Sequence, residues 1–342
     1  MRAMRTESQP LVGVVTPVYN EAEHIAECIE SVLAQTYQNW EYTIADNCST
    51  DGTAEIAQRY AERDPRISVV RNPQFLRVTA NFNSALRQIP MNSKYCKIVL
   101  GDDWIFPECL ERMVAVAEQY PNVAIVAAYA LAGADVKWTG LPYPSTCVPG
   151  REVCRRTLLE NLTVFGSENS VLYRADVVRS RNPFYNEGNV HADTETCFDL
   201  LRTYDFGFVH QVLTFTRVRP GSLSRISADL HTDYGGILQN IVKYGPHFLS
   251  EQELADCRER FVKSYYKFLG KSVFLGRNKS FWDFHQTKLK ESGVDFSQAR
   301  MVGAIGVEAF RSLLNPLQLT KRGTRFLNEI VQRRKLTGMQ DN

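Results

Sequence analysis

The sequence has no Cys-x-x-Cys pair among its 8 cysteines, no signal-like apolar start, no excess of one charge and no long hydrophobic run. Each absence removes a class of protein. Cysteines at 28, 48, 96, 109, 147, 154, 197 and 257 lack the spacing of a structural zinc site, and a chain of 342 residues is expected to keep them as reduced thiols. Met1 to Pro10 is polar, so a cytoplasmic location is expected. The longest apolar stretch, Val123 to Ala134, is about half of the ~20 residues a spanning helix needs. Lys and Arg number 40 against 38 Asp and Glu, which excludes a polycation built for nucleic acid. With 44% hydrophobic residues the chain is not a disordered tail either. The near balance conceals an asymmetry: from Arg300 to Asn342 eight basic residues stand against three acidic ones, so a net +5 tail follows a net −3 body.

What is present begins with alternation. Short β-branched runs at Leu11–Thr16, Trp40–Ala45, Ile67–Val70, Cys96–Leu100 and Val123–Tyr129 read as strands. Between them lie amphipathic stretches, the first carrying Ile25, Cys28, Ile29, Val32 and Leu33 on one face. Asn20 with Glu23 has capping-box spacing and is expected to open that helix. Pro107 suits the first turn of the helix after the fourth strand. Helices between short apolar strands imply a mostly parallel α/β sheet with right-handed crossovers. In such sheets ligands sit outside the carboxyl ends of the strands. Those ends carry Pro17-Val18-Tyr19-Asn20-Glu21, Asp46-Asn47, Arg71-Asn72 and Gly101-Asp102-Asp103.

Neither Gly-x-Gly-x-x-Gly after the first strand nor Gly-x-x-x-x-Gly-Lys-Ser/Thr occurs. A nucleotide at this rim therefore needs its diphosphate neutralised by a carboxylate-held metal. Thr16-Pro-Val-Tyr-Asn-Glu21, Ile44-Ala-Asp-Asn-Cys-Ser-Thr-Asp-Gly-Thr53 and Leu100-Gly-Asp-Asp103 with Pro107-Glu108 form an ordered set that resembles the family 2 glycosyltransferases. The resemblance covers about Pro10 to Ser224. It implies the GT-A fold, a Rossmann-like, mostly parallel sheet flanked by helices. It also implies that Pro17, Tyr19, Glu21 and Asp46 contact the base and ribose of a nucleotide-sugar, that Asp102 holds a divalent metal (Mg2+ or Mn2+), and that Asp103 faces the donor; Asn72, at the same rim, is a further candidate to contact the nucleotide-sugar. The first position of the family's Asp-x-Asp motif is Leu100 here.

The second half is expected to supply the acceptor side. By the same resemblance, Gly166 and Ser167 of the loop Phe165–Ser170 line the donor-sugar pocket. Asp193 and Glu195 sit at the entry to a helix, where a helix dipole also favours carboxylates. The resemblance implies that an aspartate there is the general base, assigned to Asp193 ahead of Glu195, with His191 as a further alternative. Arg217 and Arg219 are candidates to pair with the diphosphate. The implied reaction is inverting transfer from a nucleotide-sugar, UDP-sugar first, to a saccharide or lipid-linked saccharide acceptor in polysaccharide or glycoconjugate assembly. A sugar nucleotidyltransferase and a non-catalytic nucleotide-sugar-binding scaffold are the alternatives.

Residues 1–225 are expected as the catalytic domain and 226–342 as a helical region. Phe310 to Lys335 reads as basic amphipathic helix, suited to an anionic membrane surface on the cytoplasmic side or to docking on protein.

Overall fold

The computed structural model describes residues 9–219 and 223–314. The expected strands form as β1 (Val12–Val18), β2 (Trp40–Asp46), β3 (Ile67–Arg71) and β4 (Tyr95–Ile98), separated by α1 (Ile25–Leu33), α2 (Thr53–Ala61) and α3 (Val78–Leu86). Then come β5 (Trp104–Ile105), α4 (Cys109–Gln119), β6 (Val123–Ala132), β7 (Asp135–Lys137) and β8 (Cys147–Val148). α5 (Gly150–Glu160), β9 (Val171–Arg174), α6 (Ala175–Arg179), α7 (Ala192–Leu200) and β10 (Asp205–Thr216) complete the sheet region. α8 (Leu223–Leu230), α9 (Asp233–Phe248), α10 (Glu251–Val273), α11 (Lys279–Glu291) and α12 (Gln298–Leu314) follow.

The strands join one ten-stranded sheet in the order β3-β2-β1-β4-β9-β6-β10-β5, with β7 on β6 and β8 on β10. β3, β2, β1 and β4 are parallel, as the helical crossovers require. β9 departs from the simple alternation: it inserts antiparallel between β4 and β6. β1 is buried on both faces, and Val12, Val14 and Val18 pack with Ile25, Cys28, Ile29 and Val32 of α1 and with Trp40, Tyr42 and Ile44 of β2. Continuous apolar strands are what a helix-covered parallel sheet needs.

Two details place the rim. α1 starts at Ile25 rather than at Asn20. Asn20 instead takes φ +52°, accepts from the Thr50 N–H and donates its own N–H to Ser49 Oγ at 3.0 Å, so its side chain staples two rim loops. Lys97 on β4 is fully buried, and its ammonium donates to the carbonyls of Asn169 and Val171. Burial depresses its pKa, while those carbonyls tie the loop before β9 to the sheet.

The first compact unit runs to Leu254, about thirty residues beyond the 225 boundary read from the sequence. The extension is α9, whose Tyr244 stacks on Phe198 of α7 with ring centroids 5.1 Å apart. Residues from Ala255 onward form a second unit. Within it Tyr265 and His285 share a 2.6 Å hydrogen bond, and Phe268 packs on Phe281. The basic stretch expected to Lys335 lies, from residue 315, outside the described residues, as do Pro220 to Ser222.

Candidate active site

Five carboxylates surround the carboxyl ends of β1, β4 and β10, and each has a different local reason for its position. Glu21 follows β1, its backbone N–H held by Thr53 Oγ1 at 2.8 Å. Asp102 and Asp103 lie in the turn between β4 and β5. Antiparallel pairing of β5 with β10, reinforced by Trp104 stacked on Phe215 at 3.6 Å, brings that turn beside Arg217 and Arg219. Glu168 stands in the loop that Lys97 fastens, and Asp193 in the first turn of α7.

Arg219 bridges two of these acids. Its guanidinium forks onto both oxygens of Glu21, and its Nε lies 2.9 Å from Asp102 Oδ2. Burial raises the Glu21 pKa, partly offset by the Arg219 hydrogen bond. Asp103 is only 2% exposed. One of its oxygens accepts the Arg217 N–H at 2.8 Å, while Oδ2 is buried without a hydrogen-bond partner. Burial, and then the charge of Asp102, push its pKa up to about 7.

Glu168 and Asp193 form a second acidic pair. Asp193 accepts its neighbour Thr194's N–H at 2.7 Å, and burial raises its pKa. Burial and the Asp193 charge push Glu168 up to about 8. The pair thus holds one proton more readily than two separate carboxyls would.

The structure separates residues that the sequence left together. Glu195 is buried and fully engaged: Lys243, Asn186 and Asn189 all donate to its carboxylate. Burial works to raise its pKa, but those donors outweigh it and hold the carboxyl low. These bonds tie α7 to α9 through Lys243. Asn72 is likewise spent, donating to Asn47 and Asn81 and accepting from Ser84 Oγ at 2.8 Å. These bonds hold the end of β3 to the loop after β2 and to α3. Asp46 is fully buried, accepting Ser49 N–H at 3.1 Å with Arg71 at 3.5 Å, and Pro17 is buried within β1. Of the two arginines expected to meet a diphosphate, Arg217 is held by Glu27 at 2.5 Å and by the Asp102 carbonyl, and Arg219 by Glu21 and Asp102. His191 Nε2 has no hydrogen-bond partner and lies 4.0 Å from Asp233.

Gly166 keeps φ +82°, and a Cβ there would come within 2.9 Å of Ser170 Cβ. Ser167 Oγ is 3.2 Å from Ser170 Oγ. These contacts shape the loop that presents Glu168. Tyr19 stays 44% exposed and meets Phe75 edge-on at 4.8 Å. Phe75, at 57% exposure, and Glu168 went unread in the sequence. Neither belongs to an ordered motif, although Glu168 adjoins the two small residues that do.

A divalent cation fits this donor set in one form only. Among the described residues no group of three or more His, Cys, Asp or Glu gathers into a protein-only cage. Asp102 at the rim, beside the unpartnered Asp103 Oδ2, suits an ion held by one or two carboxylates and completed by substrate phosphate oxygens.

The glycosyl transferase family 2 model matches residues 13–179. The putative glycosyltransferase EpsE of Bacillus subtilis is 32% identical over 166 residues, covering 46% of this chain and 59% of EpsE. The putative teichuronic acid biosynthesis glycosyltransferase TuaG of the same organism is 37% identical over 109 residues, 32% of this chain and 42% of TuaG. The chain thus spans about half the length of these curated relatives. Among solved structures, S. aureus TarS 1–349 in complex with UDP-GlcNAc superposes with a TM-score of 0.60 at 16% identity, covering 87% of each chain. A mannosyltransferase from Pyrobaculum calidifontis in complex with GDP-Man and Mn2+ gives 0.53 at 17% identity, over 92% of this chain and 83% of that one. Residues 13–179 thus match the glycosyl transferase family 2 model, and the sheet with its flanking helices shares the GT-A fold of those solved structures.

Proposed function

We propose that the protein is an inverting glycosyltransferase that moves a sugar from a UDP-sugar to a hydroxyl of a saccharide or lipid-linked saccharide during surface polysaccharide or glycoconjugate assembly. The observation that carries this reading is the presence of two acidic groups at the rim, Glu21, Asp102 and Asp103 beside Arg219, and Glu168 with Asp193; we assign the first to the donor and the second to the acceptor. The UDP-GlcNAc complex of TarS and the polysaccharide role in the name of TuaG support the donor and pathway classes.

A sugar hydroxyl does not lose its proton unaided at neutral pH, so a positioned base must take it as the new bond forms. Asp193 is that base: it stands in the first turn of α7, and burial raises its pKa, which strengthens it as a proton acceptor. The acceptor oxygen bonds to the anomeric carbon as the bond from that carbon to the β-phosphate oxygen breaks. The hydroxyl proton goes to Asp193 and the nucleoside diphosphate leaves, with configuration inverted. A divalent cation at Asp102 supplies Lewis-acid stabilisation of the leaving diphosphate. Arg219 adds a second positive charge there, and Tyr19 with Phe75 offers ring faces for the base. The basic segment from Arg300 to Asn342 holds the enzyme on an anionic cytoplasmic membrane face, where lipid-linked acceptors are presented.

The test is release of nucleoside diphosphate from a panel of UDP- and GDP-sugars, with and without Mn2+. Turnover of a UDP-sugar that needs the cation supports the reading. Binding without any turnover, with acceptor extracts present, overturns it.

A further inference from the structure

The second unit contains a groove that the catalytic reading does not use. α10 and α12 touch at Gly270, where a Cβ would lie 2.8 Å from the backbone of Ala304. Beside that contact opens a cavity of about 540 Å3. Its rim carries Arg260, Lys263, Lys267, Arg300 and Arg311 against one acid, Glu259, which pairs with Arg300 at 3.2 Å. Ala304 and Val307 give it an apolar floor. On the adjoining stripe of α12, Val302 and Phe310 stand 69% and 63% exposed at helical spacing with Gly306, and nothing lies within 4 Å of where a Gly306 Cβ would stand.

We propose that this α10–α12 face docks on a bilayer rich in anionic phospholipid, with headgroup phosphates in the cationic groove and Val302, Val307 and Phe310 in the interfacial layer. Charge decides the occupant. A second copy would set one cationic rim against another. The chain's own segment from Lys321 to Lys335 is also basic, so it does not neutralise the groove. A nucleic acid would satisfy the cations but leave the valines and phenylalanine in water. An anionic membrane surface accepts both the charge and the apolar side chains. This surface shares Arg300, Phe310 and Arg311 with the start of the basic segment, does not need the chain from Lys321 onward, and is independent of the catalytic residues.

The experiment is co-sedimentation of the full chain with vesicles of phosphatidylcholine alone and of phosphatidylcholine mixed with phosphatidylglycerol. Lys263→Ala/Lys267→Ala is expected to lower binding to the mixed vesicles about 25-fold, at about fivefold per cation. Val302→Ser/Phe310→Ser is expected to weaken it several-fold with the salt dependence unchanged. Circular dichroism melting and donor hydrolysis in solution should match wild type in both, which keeps the result separate from the enzymatic reading. A third variant, Arg333→Ala/Arg334→Ala/Lys335→Ala, tests the tail alone. Equal binding to both vesicle types, or loss confined to the tail variant, overturns the groove proposal. So does a dimer dispersed by Val302→Ser/Phe310→Ser, or nucleic-acid binding lost in the lysine variant without a change on vesicles.

Discussion

Arg219 Nε lies 2.9 Å from Asp102 Oδ2, so one arginine neutralises the carboxylate best placed to share a cation with a diphosphate. The same guanidinium grips Glu21. The phosphates of a bound donor would compete for it. Arg219→Gln is therefore expected to weaken UDP affinity in the presence of Mn2+ by about tenfold or more, the scale of one charge-assisted hydrogen bond. Titration calorimetry checks this. Unchanged affinity would mean that the guanidinium stays with the acids.

Phe75 adds its ring to Tyr19 at the mouth of the rim. Loss of a stacking ring costs about 1–3 kcal/mol per base in related settings. Phe75→Ala should therefore raise the UDP dissociation constant at least fivefold while leaving the melting temperature nearly unchanged, because the side chain is mostly exposed. Equal affinity would place the base elsewhere.

Glu195 is expected to behave as a structural residue. Glu195→Gln keeps the shape but removes the charge held by Lys243, which remains half-exposed and can be resolvated. A loss of about 1–2 kcal/mol in urea denaturation is expected. Its folded pKa is depressed, so the stabilisation is present above the unfolded glutamate pKa of about 4.3 and disappears as pH falls through the lower folded value. The wild-type advantage over Glu195→Gln should shrink in acid. Donor turnover should stay within a few-fold of wild type.

Glu168 has the opposite sign. Its folded pKa is raised to about 8, so the folded state holds the proton that the unfolded chain gives up. Its contribution to stability is greatest in acid and is lost as pH rises from about 4 towards 8. Glu168→Gln should then be more stable than wild type at pH 8, with the difference vanishing near pH 4. A constant difference across that range, followed by thermal melts, would contradict the raised pKa.

The sheet and the acidic rim were legible because both are local. Short β-branched runs specify strands, and Asp46 or Asp102 directly after such a run marks a carboxyl end. Whether a polar residue faces a ligand or a partner was not legible, because tertiary packing decides which side chains meet it, some from a neighbouring helix and some from far along the chain. Lys243 reaches Glu195 across 48 residues, Ser84 and Asn81 occupy Asn72, and Arg219 reaches Glu21 across 198 residues. The insertion of β9 between β4 and β6 was hidden for the same reason, since antiparallel partners more than seventy residues apart leave no periodic trace. Asp193 stays the proposed base ahead of Glu195: Asp193 accepts from Thr194 within its own turn, whereas three side chains donate to Glu195.

The most direct test of the catalytic account is Asp193→Asn, assayed for turnover and for donor binding together. Turnover should fall by at least about a thousandfold, the upper range for removing a general base, with UDP-sugar affinity within a few-fold of wild type. Near wild-type turnover in Asp193→Asn would contradict the assignment of the base and with it the mechanism built on the Asp193–Glu168 pair.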